Sequence, residues 1–209
     1  GICFGHQILA HSLGEEGGVA VKCPAGPQAG GRNFALTKAG KELFGKNYHR
    51  TVGNGCTEDE KHDLQDSTCS RDCCRGKADV HLLYTHGDMV QELPACALSL
   101  GGNLNVPIQS AAYFWNSEKA KRFGGNSTVE EEDEDKKPYA ITFQAHPEYA
   151  SLTFVETTLT NVVNAMVKRG AISSESQEKN LRNVKDNFLQ FSADSLLVIT
   201  NTCRLFGWL

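Results

Sequence analysis

Two short stretches carry residue types that could do chemistry together. Gly1-Ile2-Cys3-Phe4-Gly5 has the shape of a nucleophile elbow: a strand turns sharply into a helix with the nucleophile at its apex. Glycines on either side allow close backbone approach. A thiol at a helix N-terminus feels the positive end of the macrodipole, which favours thiolate. The backbone N–H of Phe4 would point at an oxyanion as charge develops. The second stretch, Gln144-Ala145-His146-Pro147-Glu148, follows the clearest strand in the chain. Its His146 could serve as general base to Cys3, with Glu148 orienting the imidazole. Pro147 breaks the strand and fixes the spacing of the two side chains. Taken singly, Cys3 also reads as a small buried residue in a Gly-rich turn, and His146 as an incidental strand-end histidine. The order Cys…His…Glu, with each member at a strand terminus, makes the pair more telling together than apart.

The elements that must position these residues are only partly regular. Gln7 to Leu13 has helical spacing, with Gly14 as a C-cap. Gly17 to Val21 reads as a short strand, Cys23 to Gly31 as a Pro- and Gly-rich loop, Asn33 to Thr37 as weak alternation and Lys38 to Phe44 as a helical turn. Strand signals recur at His81 to Tyr84, Ala97 to Leu100, Ile108 to Trp115 and Tyr139 to Gln144. Two stretches, 46–80 and 116–138, read as insertions. The first holds four of the cysteines, and the second contains six consecutive acids, Glu130 to Asp135. Leu152, Val155, Leu159, Val162, Val163 and Met166 predict a helix ending before Gly170. Ser173 or Ser174 could cap a polar helix through Phe188, and Ser192 or Asp194 the last one. No internal repeat is visible. Without the insertions about 151 residues remain, enough for one core.

Composition narrows the classes. The chain has 209 residues, 40% apolar and 22% charged, which excludes collagen, coiled coil and wholesale disorder. No run approaches the roughly 20 apolar residues of a membrane span. A net charge of −4 gives no argument for nucleic acid as a partner. The chain has eight cysteines and no secretory segment, which points to a reducing cytosol. Cys56, Cys69, Cys73 and Cys74, with His62 nearby, fit no closed zinc pattern, so neither metal nor cofactor is expected. The acidic run reads as a solvated face. His6 reads as packing, His11 as structural and Ser110 as a poor nucleophile, and the sequon Asn126-Ser127-Thr128 is without consequence in a cytosol.

Gly1-Ile2-Cys3-Phe4-Gly5-His6-Gln7 and His146-Pro147-Glu148 resemble the two signature motifs of class I glutamine amidotransferases, the type with a Cys-His-Glu triad. Thr85-His86-Gly87-Asp88-Met89-Val90 resembles a third, and all three occur in family order. The stretch from Ile8 to Phe44 looks most like the stand-alone branch related to the GMP synthase glutaminase domain. The likeness covers roughly 1–45, 81–115 and 139–170. Where many stand-alone members read Gly before His-Pro-Glu, this chain has Ala145, a small residue of little expected effect.

The resemblance implies an α/β fold: a three-layer, flavodoxin-like sandwich with a mostly parallel central sheet and helices on both faces. It implies one domain spanning 1–209. It makes Cys3 the nucleophile, His146 the base and later acid, and Glu148 the orienting acid. Phe4 and Gln7, with the backbone around His86, Gly87 and Asp88, would hold the substrate. Only two residues precede Cys3, so the upstream strands and the second oxyanion donor are expected to be missing, and the isolated polypeptide to be poorly folded and inactive.

The implied reaction releases ammonia from the L-glutamine side chain through a γ-glutamyl thioester. No synthase domain follows, so an acceptor enzyme would be a separate partner chain. One alternative is a γ-glutamyl peptidase acting on glutathione-like peptides, since both substrates present the same carbonyl. The other is a non-catalytic regulatory or scaffold homologue, against which the intact Cys3, His146 and Glu148 argue.

Overall fold

The computed structural model describes residues 1–13, 19–44, 79–124 and 137–209. Most of the 46–80 stretch, with Cys56, Cys69, Cys73, Cys74 and His62, lies outside the described residues. So do Gly14, Gly17, Gly18, the sequon and the acidic run Glu130 to Asp135.

Helix α1 (Phe4–Ser12) opens the chain. Strand β1 (Val19–Lys22), strand β2 (Gln28–Leu36) and helix α2 (Lys38–Phe44) follow. Then come β3 (Asp79–His86), β4 (Asp88–Glu92), β5 (Ala97–Gly102), β6 (Ser110–Tyr113), helix α3 (Ser117–Gly124) and β7 (Ala140–Phe143). The C-terminal third is helical: α4 (Leu152–Phe154), a π-helical turn (Val155–Leu159), α5 (Thr160–Lys168), α6 (Ser174–Asp186) and α7 (Phe188–Leu205). Among the described residues no helix is long and apolar enough to cross a membrane.

The fold is α/β, but the expected mostly parallel sheet is corrected. The main sheet runs β3-β2-β5-β6-β7, and every neighbouring pair in it is antiparallel. A parallel pair needs a crossover connection of roughly a dozen residues or more, usually a helix. Among the described residues the one parallel pairing is an isolated bridge, Ile2 to Phe143, and the strand that follows α1 pairs antiparallel in a separate sheet. β1 and β4 form a separate antiparallel pair.

Alternating side chains sort the sheet into two apolar faces. Phe34, Leu82, Tyr84, Phe114 and Phe143 meet α2, α3 and the end of α7 on one side. Ala29 and Leu83 meet α5, α6 and Phe191 on the other. α1 also lies on that second side, where Leu9 packs against Ala111 and Tyr113. The strand directions place the carboxyl ends of β3 and β7 on one edge of the sheet, with Gly1 to Cys3 running beside β7 in the same sense. The sheet curls far enough that the chain just past β7 reaches β3, where the His146 amide donates to the Leu83 carbonyl at 2.8 Å.

Several local expectations change. The Cys23 to Gly31 stretch is loop only to Pro27, because β2 begins at Gln28. Its glycines mark close packing, since a Cβ at Gly30 would lie 2.9 Å from Asn180 and one at Gly31 2.0 Å from the Phe191 ring. The polar 116–138 stretch contains α3, whose start is capped by the Asn116 side chain accepting from the Lys119 amide at 2.9 Å. Ala120 and Phe123 attach that helix to the core. Ser173 caps α6 as expected. The Ser192 or Asp194 cap does not form, because α7 begins at Phe188 and runs through both. Buried Asp194 instead accepts from the His81 amide at 2.8 Å and from Gln190, anchoring α7 to β3.

Gly40 shows how closely α2 lies on β5: an added Cβ would fall 1.9 Å from the Leu100 carbonyl oxygen. Gly40→Ala is expected to destabilise the protein by roughly 2–4 kcal/mol. A urea unfolding series reads this as a lowered midpoint. Gly87→Ala, with nothing within 4 Å of its added Cβ, serves as the neutral control. Equal midpoints for the two variants would contradict this packing.

Candidate active site

Cys3 precedes the first turn of α1 with φ 50°, the one described non-glycine residue at positive φ. Such a conformation costs on the order of 1–3 kcal/mol and persists only where its surroundings hold it. Those surroundings are on both sides. The Cys3 amide donates to the Phe143 carbonyl at 2.7 Å, and the Cys3 carbonyl accepts from the amides of His6 at 3.0 Å and Gln7 at 3.2 Å. The two elbow glycines are not equivalent. A Cβ at Gly1 would lie 2.9 Å from the Gly5 carbonyl oxygen, whereas one at Gly5 would meet nothing within 4 Å. Among the described residues, the Phe4 N–H has no acceptor, as expected of a first-turn donor.

His146 lies directly beyond the end of β7. Its Nδ1–H donates to Glu148 Oε1 at 2.7 Å. Its Nε2 meets Thr85 Oγ1 at 2.9 Å, and the Cys3 thiol lies near enough to act on the ring. Burial alone would lower the imidazole's proton affinity. The Glu148 carboxylate and the nearby Cys3 thiol outweigh burial and push it up to about 9. The ring stacks on Tyr149 with centroids 4.2 Å apart and planes at 13°. Burial raises the pKa of the Tyr149 hydroxyl, which lies beside Thr85. His146 and Glu148 are thus hydrogen-bonded beside Cys3, in the order of a row. In it a thiol, an imidazole and a carboxylate can exchange and hold a proton.

The expected substrate contacts sit beside this row. Phe4 is 68% exposed at the surface next to Cys3. Gln7 is buried, and its Nε2 donates to the Asp88 carbonyl at 2.9 Å and to Gln144 Oε1 at 3.1 Å. His86 is 4% exposed. Its Nδ1–H donates to the same Asp88 carbonyl at 2.8 Å. Both side chains therefore support the turn between β3 and β4, where Gly87 and the Asp88 side chain are exposed. Gln144 is fully buried and donates to Cys3 Sγ at 3.9 Å, so a chain of amides links the turn to the thiol.

Thr85, Gln144 and Tyr149 were present in the quoted motifs or next to them, but spacing gave them no role. Thr85 immediately precedes the His86-Gly87-Asp88 turn, and Tyr149 immediately follows Glu148. Their neighbourhood was the available signal. Among the described residues, no group of three or more potential ligands is arranged to hold a metal.

No protein-family model matches the sequence. No curated protein matches it either. Solved structures do. The chain superposes on a glutamine amidotransferase from Thermotoga maritima with a TM-score of 0.54, at 14% identity, over 98% of this chain and 60% of that one. It superposes on a glutamine amidotransferase from Methylobacillus flagellatus with a TM-score of 0.52, at 12% identity, over 98% of this chain and 62% of that one. The chain therefore has the glutamine amidotransferase fold and spans about 60% of the length of these structures.

His6 and His86 are opposite in character to His146. Burial drives both down to about 4, and their hydrogen bonds to the Ile108 and Asp88 carbonyls offset it only in part. Between about pH 4 and 6.5 the unfolded chain binds protons that these two folded histidines refuse. Stability therefore falls as pH falls through that window. His146, raised above its unfolded value, keeps its full contribution there and loses it only as pH rises toward about 9. Thermal melts at pH 6.5 and 5 are expected to show the acid sample less stable by roughly 2 kcal/mol. Equal melting temperatures would mean that one or both rings are protonated in the fold.

Proposed function

We propose that the protein is a glutamine amidotransferase-like hydrolase that releases ammonia from the side chain of L-glutamine. The observation that carries this reading is the Cys3–His146–Glu148 row, set at the strained start of α1 and the carboxyl end of β7. In this reading the Cys3 thiolate attacks the side-chain carbonyl carbon, and the negative charge on the carbonyl oxygen meets the Phe4 N–H. The tetrahedral adduct collapses with cleavage of the C–N bond. The departing nitrogen takes the proton from His146 Nε2 and leaves as ammonia. Neutral His146 then takes a proton from water as the water attacks the thioester. Cleavage of the C–S bond returns the Cys3 thiolate, and glutamate leaves. Glu148 holds the Nδ1–H throughout, favouring the charged imidazole that the first half needs.

In this reading the exposed Gly87 and Asp88, steadied by Gln7 and His86, hold the amino-acid end of glutamine. Ammonia would pass to an acceptor enzyme. The same carbonyl chemistry serves a γ-glutamyl peptidase, so the assay must offer glutamine and a glutathione conjugate side by side. Release of ammonia supports the first reading and release of the shortened peptide the second.

In the intact protein, Cys3→Ala is expected to lose at least about 10³-fold in kcat/KM for glutamine. Undiminished turnover would exclude a covalent cysteine mechanism. Because His146 is held at about 9, the wild-type pH profile is expected to lose activity as pH rises through that region. Glu148→Gln removes a charge that raises this value, so the alkaline limb moves to lower pH and kcat falls. A limb that stays in place would show that Glu148 does not act through His146.

A further inference from the structure

The bond to Glu148 fixes one atom of the His146 ring, leaving the imidazole free to swing about that contact. Two further contacts to the ring remove the freedom. Thr85 Oγ1 stands 2.9 Å from Nε2, at the opposite corner of the ring. The Tyr149 ring covers one imidazole face at 4.2 Å. Tyr149 is itself backed by Phe154, with centroids 4.3 Å apart. The Tyr149 side chain also lies beside Thr85. Thr85 belongs to β3, whereas His146, Glu148 and Tyr149 belong to the chain after β7. The imidazole is therefore fixed against an element independent of the segment that carries it.

We propose that Thr85 and Tyr149 are positioning residues, which hold the His146 ring in the one plane where Nδ1 meets Glu148 and Nε2 meets Cys3, with the Thr85 hydroxyl as the resting partner of Nε2. This rests on the reading of His146 as the residue that serves Cys3. Nε2 has one proton and two claimants, the thiol and the threonine hydroxyl. When the thiolate charge is consumed in attack, the hydroxyl keeps the proton pointed into the site. That direction is the one the departing nitrogen requires. The other titratable groups that act on the imidazole are Cys3 at the start of α1, Glu148 and His86. None of them constrains the ring's tilt as the Thr85–Tyr149 pair does.

The test uses Thr85→Val, which keeps shape and removes the hydroxyl, with Thr85→Ser as rescue and Tyr149→Phe to keep the stack without its hydroxyl. Each is measured in the intact protein by steady-state kinetics on glutamine and by NMR titration of the His146 imidazole. Thr85→Val is expected to lower kcat about tenfold with KM within about twofold, because orientation is lost while the binding surface stays. Removing an acceptor of the Nε2–H disfavours the charged ring, so the His146 titration moves to lower pH. Thr85→Ser restores both readings, and Tyr149→Phe shows a smaller shift in the same direction. A Thr85→Val protein with wild-type kcat and an unmoved His146 titration overturns the proposal. Should Thr85→Val fail to fold, Tyr149→Phe alone decides, and an unmoved His146 titration in it overturns the proposal. Wild-type turnover in Cys3→Ala would instead overturn the hydrolase reading, while the titration would still judge the positioning of the ring.

Discussion

The stretch from Phe143 to His146 is the constraint on which the rest depends. It is bonded on both sides by three different parts of the chain. The Phe143 amide donates to the Gly1 carbonyl at 2.8 Å, and its carbonyl accepts from the Cys3 amide at 2.7 Å. The Gln144 amide donates to the Gln109 carbonyl and the His146 amide to the Leu83 carbonyl, both at 2.8 Å. Each bond contributes only about 1 kcal/mol net. Together they place the start of α1, the end of β7 and the end of β3 in one register. The positive φ of Cys3 persists because the residue is bonded to β7 through its amide and to α1 through its carbonyl. A shift of one residue in this ladder would turn Gln144 and Thr142 away from α1 and separate the thiol from the imidazole.

Within that frame, partners decide charge. His6, His86 and His146 are all removed from water and all lose proton affinity for it. His6 and His86 find backbone carbonyls, which support an N–H without adding a full negative charge, and both stay neutral. His146 finds a carboxylate and a thiol, and the sign reverses. Strand ends and backbone carbonyls thus build the support, while the single carboxylate at Glu148 selects which ring can carry the proton.

How much of this was legible in the sequence depends on whether a residue acts locally. Cys3 between glycines, and His146 two residues from Glu148, were readable because their chemistry depends on short spacing. The direction of strand pairing was not, since it depends on long connections that no local pattern records. Gly30 and Gly31 read as loop residues because glycine signals a turn as readily as it signals a helix pressed against a strand. Asp194 read as a cap for the same kind of reason: its carboxylate does accept a backbone amide, but that of His81 in a distant strand. Thr85 had no pattern to mark it, because its contact with His146 exists only once the sheet has curled, whereas Tyr149 stacks on His146 from three residues away within a local turn.

The central claim is that the ladder delivers Cys3 to His146 as a working nucleophile. Intact-mass spectrometry of the protein, quenched in acid during turnover of glutamine, tests it most directly. The account predicts the added mass of one γ-glutamyl group, mapped by peptide digestion to Cys3, accumulating further when water attack is slowed. Steady hydrolysis of glutamine with Cys3 unmodified throughout, or with the adduct on another residue, would contradict it.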